Sequence, residues 1–251
     1  MKNLIIDQTH LILLDMAKEF HRICIDNDIP YYMLGGTMLG AIRHKGFIPW
    51  DDDMDFGIPR KYYARFVNIA EKELPARYKM LTVDNSDYAI LGIGKLSDTK
   101  TWVKETYSVK SEEKLGLNID IFPLDYTDDK LGIFSFNWYI RSCFKLQKLL
   151  FMETENRPFF KGMFAKVCQT IISMKKTTIP YYIDCKMSKR EIEPSVLANL
   201  FGAWGMKEFV DIKIMGEPVL YDFEDTQFYG PFDSSAYLKQ LYGDYMKLPP
   251  I

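Results

Sequence analysis

Asp51-Asp52-Asp53-Met54-Asp55-Phe56 is the densest concentration of chemically competent side chains in the chain. If this run is a strand, alternate side chains share a face. Asp53 and Asp55 then point together, with Met54, Phe56 and Ile58 packed behind them. Two carboxylates side by side repel unless a cation sits between them. Magnesium suits such a site, because it takes hard oxygen ligands and binds through one or two carboxylates plus substrate phosphates. A calcium loop does not fit: counting from Asp51, the glycine and glutamate required at positions 6 and 12 are Phe56 and Tyr62. The competing reading of the run is a solvated acidic turn, against which Trp50, Met54 and Phe56 argue.

A second segment has the same design. In Leu117-Asn118-Ile119-Asp120-Ile121-Phe122 the apolar residues alternate towards a core and leave Asn118 and Asp120 on the other side. A carboxylate on an otherwise apolar strand is costly without a partner, and the same metal is the simplest one. Asp120 is therefore the third expected ligand, able also to act as general base on an incoming hydroxyl. Gly35-Gly36-Thr37 stands between a short apolar strand (31–34) and the start of a helix. Two glycines let a ligand approach the backbone, and first-turn amides can bind phosphate. Thr37 can cap that helix or donate to an oxygen. Arg43, Lys45 and Lys95 bring positive charge that either meets a donor phosphate or faces solvent.

The elements that must position these groups follow from periodicity. Leu13, Met16, Ala17, Phe20, Ile23 and Cys24 fall on one face of a helix over 9–26. A helix from 37 to Ile42 ends at Gly46, a strand covers 53–58, and Pro59 opens a helix burying Tyr63, Phe66, Val67, Ala70 and Leu74. Further strands are expected near 88–96 and 117–122, a hairpin over 210–221 turning at Gly216-Glu217, and a last helix over 233–242. Residues 131–175 read as helical, aromatic and basic. This order gives an α+β fold, with a catalytic core over 1–127 and a mainly helical region over 128–251 that completes the site and binds acceptor.

Bulk properties narrow the partners. A net charge of −2 argues against nucleic-acid binding. Four scattered cysteines and three histidines leave metal binding to carboxylates. No apolar run approaches the roughly 20 residues of a spanning helix, so an intracellular protein is expected. The basic and aromatic face of 131–152 either packs on the catalytic core or docks on an anionic membrane.

The run from Met33 to Asp55 closely resembles the signature of the LicD family, phosphocholine transferases related to fukutin and fukutin-related protein. Asn118–Asp125 is similar to that family's second segment, and Tyr242–Pro250 to its C-terminal one. The resemblance implies a nucleotidyltransferase-like mixed sheet with flanking helices, Gly35-Gly36 as its glycine motif, and Asp53, Asp55 and Asp120 as a metal triad for Mg2+ or Mn2+. It also implies a CDP-linked donor such as CDP-choline and a glycan or lipid-linked glycan acceptor. With the absence of a spanning segment and the basic face of 131–152, the expected location is cytoplasmic, with peripheral contact at the inner face of the plasma membrane as the alternative to packing on the core. Two rivals stand beside the family reading: a metal-dependent glycosyltransferase, and a binding module without catalysis. The first leaves Gly35-Gly36 and Asp120 without a task, and the second leaves three carboxylates unexplained.

Overall fold

The structure is a computed structural model that describes residues 6–86, 93–103, 114–127, 160, 162–164, 166–167 and 195–248. Helix α1 (Ile6–Asp26) carries the expected apolar face, and Leu13, Met16, Ala17, Phe20, Ile23 and Cys24 are all buried. Phe20 is the hub of the core. Its ring lies 4.8 Å from Tyr31, 4.6 Å from Phe56 and 5.2 Å from Phe66, separations at which aromatic pairs attract beyond their buried area.

Strand β1 (Tyr32–Met33) leads into α2 (Gly35–His44), and β2 (Asp55–Pro59) into α3 (Arg60–Glu73). Strands β3 (Tyr78–Leu81), β4 (Gly94–Asp98) and β5 (Asn118–Thr127) follow. After residue 195 come β6 (Val196–Asn199), a 3-10 turn (Gly205–Glu208), β7 (Phe209–Asp211) and a single helical turn, α4 (Ile212–Met215). The hairpin β8 (Val219–Phe223) and β9 (Thr226–Gly230) and helix α5 (Ser234–Tyr242) end the described chain.

Among the described residues, seven strands form one mixed sheet, ordered β1-β2-β5-β4-β3, with β6 also on β5 and β7 on β6. The axis is β5. It runs parallel to β2 and carries β4 along 118–121 and β6 along 124–127, both antiparallel. Pro123 falls between those two partners, where a residue without an N–H costs the ladder least. The architecture is thus α+β, a mixed sheet with flanking helices. The expected domain boundary at 127/128 falls between β5 and β6, which pair with one another.

Several expectations need correction. Strand β2 starts at Asp55 rather than at residue 53. Gly35 itself opens α2, with Leu34 as N-cap, so Thr37 lies inside the first turn and does not cap it. The helix runs on to His44 and closes on Lys45 in the left-handed region (φ 61°), before Gly46 is reached. The carbonyl of Lys45 accepts from the Glu224 amide at 2.7 Å, a contact that helps hold a non-glycine residue there. The hairpin turns at Glu224-Asp225, and Gly216 instead terminates α4. Residues 87–92 of the expected strand over 88–96, and most of the expected helix over 131–175, lie outside the described residues. Among the described residues, no helix is long and apolar enough to cross a membrane.

Candidate active site

Strand pairing places two of the predicted carboxylates opposite one another. Asp55 on β2 is opposite Asp120 on β5, and Asp120 is opposite Lys95 on β4. Residues directly opposite share a sheet face, so Asp55, Asp120 and Lys95 form one row across three strands. Asp53 lies two residues before Asp55, just outside the strand, and lines the same cleft. Lys95 Nζ reaches Asp120 Oδ1 at 2.6 Å and Asn118 Oδ1 at 3.1 Å.

The glycine turn forms the cleft's other lip. Thr37 Oγ1 accepts from the Asp55 amide at 2.8 Å, and the Leu34 amide donates to the Asp55 carbonyl at 3.0 Å. The start of α2 is therefore pinned to the start of β2, and Thr37 positions the acidic strand rather than touching the cleft. Gly35 has φ +48°, and a Cβ there would stand 3.5 Å from Asp55 Oδ2 and 3.6 Å from the Tyr242 hydroxyl. Its amide donates to the Tyr237 hydroxyl at 3.0 Å. A Cβ on Gly36 would meet Asp51 Oδ2 at 2.8 Å, so Asp51 shapes this wall. Gly35→Ala is expected to lower turnover at least about tenfold, because the left-handed backbone costs a non-glycine residue about 1 kcal/mol and shifts the turn against Asp55. Steady-state kinetics of the folded variant checks this; unchanged kcat/KM would show that the turn is only structural.

The cleft has a volume of about 570 Å3 and is lined by Gly35, Gly36, Asp53, Asp55 and Asp120 from the predicted set. Arg43 and Lys45 do not line it. Arg43 bonds to His44 Nε2 and the Tyr245 carbonyl, and Lys45 is exposed at the end of α2. A shallower hollow of similar volume lies by His21 and the β8–β9 hairpin, and none of the predicted site residues lines it.

Electrostatics marks the acidic row as strained in its ionised form. Burial, then the charges of Asp53, Asp120 and Glu208, pushes Asp55 well above the ordinary carboxylate range, with Lys95 opposing. Asp53, although reached by solvent at the cleft mouth, is raised to about 7 by desolvation and then by Asp51, Asp120 and Asp52. Asp51 is raised as well, by burial and by Asp52. Such a site favours a cation, and an all-oxygen donor set suits a hard divalent one. Among the described residues no three His, Cys, Asp or Glu side chains form a ready-made cage. The donors line one cleft without being drawn together, with one oxygen of Asp120 on Lys95.

Four lining groups escaped the sequence reading: Asn199, Phe201, Trp204 and Glu208. Asn199 ends β6 and the other three follow it, and the strand's four residues (Val-Leu-Ala-Asn) carry too short a pattern to announce it. Glu208 accepts from the Trp204 amide at 2.8 Å and is buried.

A mixed sheet, a glycine turn feeding a helix, and carboxylates on the two neighbouring strands define a nucleotidyltransferase-type domain. The family described as LicD/FKTN/FKRP, nucleotidyltransferase domain, matches residues 28–164. Lipopolysaccharide cholinephosphotransferase LicD of Haemophilus influenzae is 30% identical over 256 residues, covering 100% of this chain and 94% of that protein. An uncharacterised protein of Rickettsia typhi is 39% identical over 84 residues, 33% of this chain and 26% of its own length. Another from Rickettsia prowazekii is 48% identical over 48 residues, 19% of this chain and 18% of its own. Among solved structures, terminal uridylyl transferase 4 of Trypanosoma brucei with bound GTP aligns at a TM-score of 0.27 and 12% identity, over 45% of this chain and 30% of that one. The chain belongs to the LicD family.

Proposed function

We propose that this LicD-family transferase moves a phospho-head group, phosphocholine or a close analogue, from a CDP-linked donor to a hydroxyl of a cell-surface glycan or its lipid-linked precursor. The observation that carries this reading is the row of Asp55 and Asp120 beside Asp53 and the Gly35-Gly36 turn, in a chain similar over its whole length to a lipopolysaccharide cholinephosphotransferase. The work is placed at the cytoplasmic face, where nucleotide-activated donors are made. Contact of residues 131–152 with that membrane remains part of the proposal, on residues outside those described.

Phosphoryl transfer needs positioning and charge neutralisation more than covalent help. Asp53, Asp55 and Asp120 would hold Mg2+, or Mn2+ in its place, and the ion when bound offsets charge on the donor's phosphates. Gly35 and Gly36 let the diphosphate approach the backbone at the start of α2. Asp120 Oδ accepts the proton of the acceptor hydroxyl. The new O–P bond forms at the distal phosphorus, the bond to the CMP oxygen breaks, and CMP leaves with that electron pair. Lys95 holds the Asp120 carboxylate in place for this step.

The test is nucleotide release by the purified chain with Mg2+ and a lipopolysaccharide acceptor. CMP should appear from CDP-choline or another member of a panel holding CDP-ethanolamine, CDP-glycerol and CDP-ribitol, and chelation should stop it. UDP release from nucleotide sugars, with none of the CDP donors consumed, would make the protein a glycosyltransferase instead.

A further inference from the structure

The cleft wall facing the carboxylates is aromatic and has no place in the phosphoryl chemistry. Trp204 and Tyr242 meet edge to face, with ring centroids 5.0 Å apart at 80°. Trp204 lines the cleft and is 47% exposed, so part of its ring is left uncovered by protein. Tyr242 ties this corner to the reacting end, since its hydroxyl and Asp55 Oδ2 flank the same point beside Gly35 at 3.6 and 3.5 Å.

Charge says what kind of ligand fits. Four carboxylates line the cleft, namely Asp53, Asp55, Asp120 and Glu208, while among the described residues no lysine or arginine lines it. Lys95, beside them, is engaged with Asp120 and Asn118. A divalent ion and a donor diphosphate together bring little net charge, so the excess of negative charge among the described lining residues suits a donor whose remaining group is positive. Glu208 carries that excess to the aromatic corner. Its carboxylate holds the Trp204 amide at 2.8 Å, and its charge is felt at Tyr242 and at Asp55. The indole already attracts an ammonium: Lys207 Nζ stands 5.6 Å from its ring centroid while donating to the Leu241 carbonyl at 2.9 Å.

We propose that Trp204 and Tyr242, backed by Glu208, form the subsite for a positively charged, quaternary-ammonium head group of the donor. Aromatic faces attract such cations most strongly where water is displaced, and a nearby carboxylate adds to the field without needing a hydrogen-bond donor on the ligand. The subsite selects choline over neutral polyols such as glycerol and ribitol. This rests on the CDP-donor reading above and goes beyond it by naming the residues that choose the donor.

The test is calorimetric titration of the full chain in Mg2+ with CDP-choline, CDP-ribitol and CDP. Wild type should bind CDP-choline about tenfold or more tightly than CDP, the scale of one to two cation–π contacts, and CDP-ribitol about as CDP. Trp204→Leu should bring the CDP-choline to CDP ratio to about one, while the conservative Trp204→Phe, which keeps an aromatic ring in the corner, should retain part of it. Equal weakening of CDP and CDP-choline in Trp204→Leu would assign the ring to the cytosine base and overturn the proposal. A wild-type protein that binds CDP-choline no better than CDP would overturn it too, while leaving the CDP reading intact. If wild type binds none of the three but binds a nucleotide sugar, the CDP reading itself has failed.

Discussion

Asp55→Asn should lower transfer by about a thousandfold or more while leaving the metal-free protein folded and as stable as wild type or more so at neutral pH. The amide has the shape of the carboxylate, and the two bonds that pin this residue, Asp55 amide to Thr37 Oγ1 and Leu34 amide to Asp55 carbonyl, are made by the backbone. What changes is charge. In the cleft the ionised form is opposed by burial and by Asp53, Asp120 and Glu208, so the substitution removes a cost to folding along with a ligand to the metal. A carboxylate whose value is raised in the folded state binds its proton more tightly there than when unfolded. Its favourable contribution is complete below the ordinary value and lost as pH rises through the raised one. For Asp53 that window runs from 3.8 to about 7. The metal-free melting temperature should therefore fall between pH 4.5 and pH 8. Added Mg2+ should restore it at the alkaline end in wild type, and much less in Asp53→Asn or Asp55→Asn. Thermal melts across pH with and without Mg2+ read this directly, and nucleotide release reads the catalytic loss. Near-normal turnover in either purified variant would sink the triad.

The parts of this site that a strand's alternation controls were legible from the sequence. Ile119 and Ile121 had to go inward, so Asn118 and Asp120 had to go outward, and Met54, Phe56 and Ile58 are indeed buried behind the acidic run. The face of α1 was legible for the same reason. Pairing was not. Nothing in residues 53–58 and 117–122 says that Asp55 lies opposite Asp120, because register depends on strands distant in sequence. Short elements also stayed hidden. Tyr78–Leu81 and Val196–Asn199 are four residues each, too few for a period, and with β6 unseen the wall formed by Trp204 and Glu208 could not be placed. Thr37 and Lys95 were found by type but their tasks were not, since each is defined by a contact with another strand. The glycine at 216 suggested a hairpin where it closes a helical turn, while the real turn uses Glu224 at φ 53°, a residue with no turn signature.

The acidic residues of the second motif divide in two, and a stability measurement separates them. Asp125 closes the block Asn118–Asp125 that also carries Asp120, yet it lies on the far half of β5 and is 1% exposed. Arg60, the first residue of α3, grips it with both ends of its guanidinium. Arg60 Nε donates to Asp125 Oδ1, and Nη2 to Oδ2 at 2.8 Å. Arg60 is itself only 13% exposed, so solvent does little to screen the pair. Removing one partner from a buried pair leaves an uncompensated charge and costs about 3–5 kcal/mol, whereas replacing both with apolar groups of similar size is close to neutral. Arg60→Met alone should therefore destabilise by that amount in urea unfolding, and Arg60→Met combined with Asp125→Leu should recover most of it. Transfer activity, assayed where each variant is folded, should survive in the double variant, because neither side chain lines the cleft. Retained stability with lost transfer would move Asp125 into the catalytic group. The expected pattern makes it the clamp that joins α3 to the central strand and so holds β2 and β5, the strands of Asp55 and Asp120, in register.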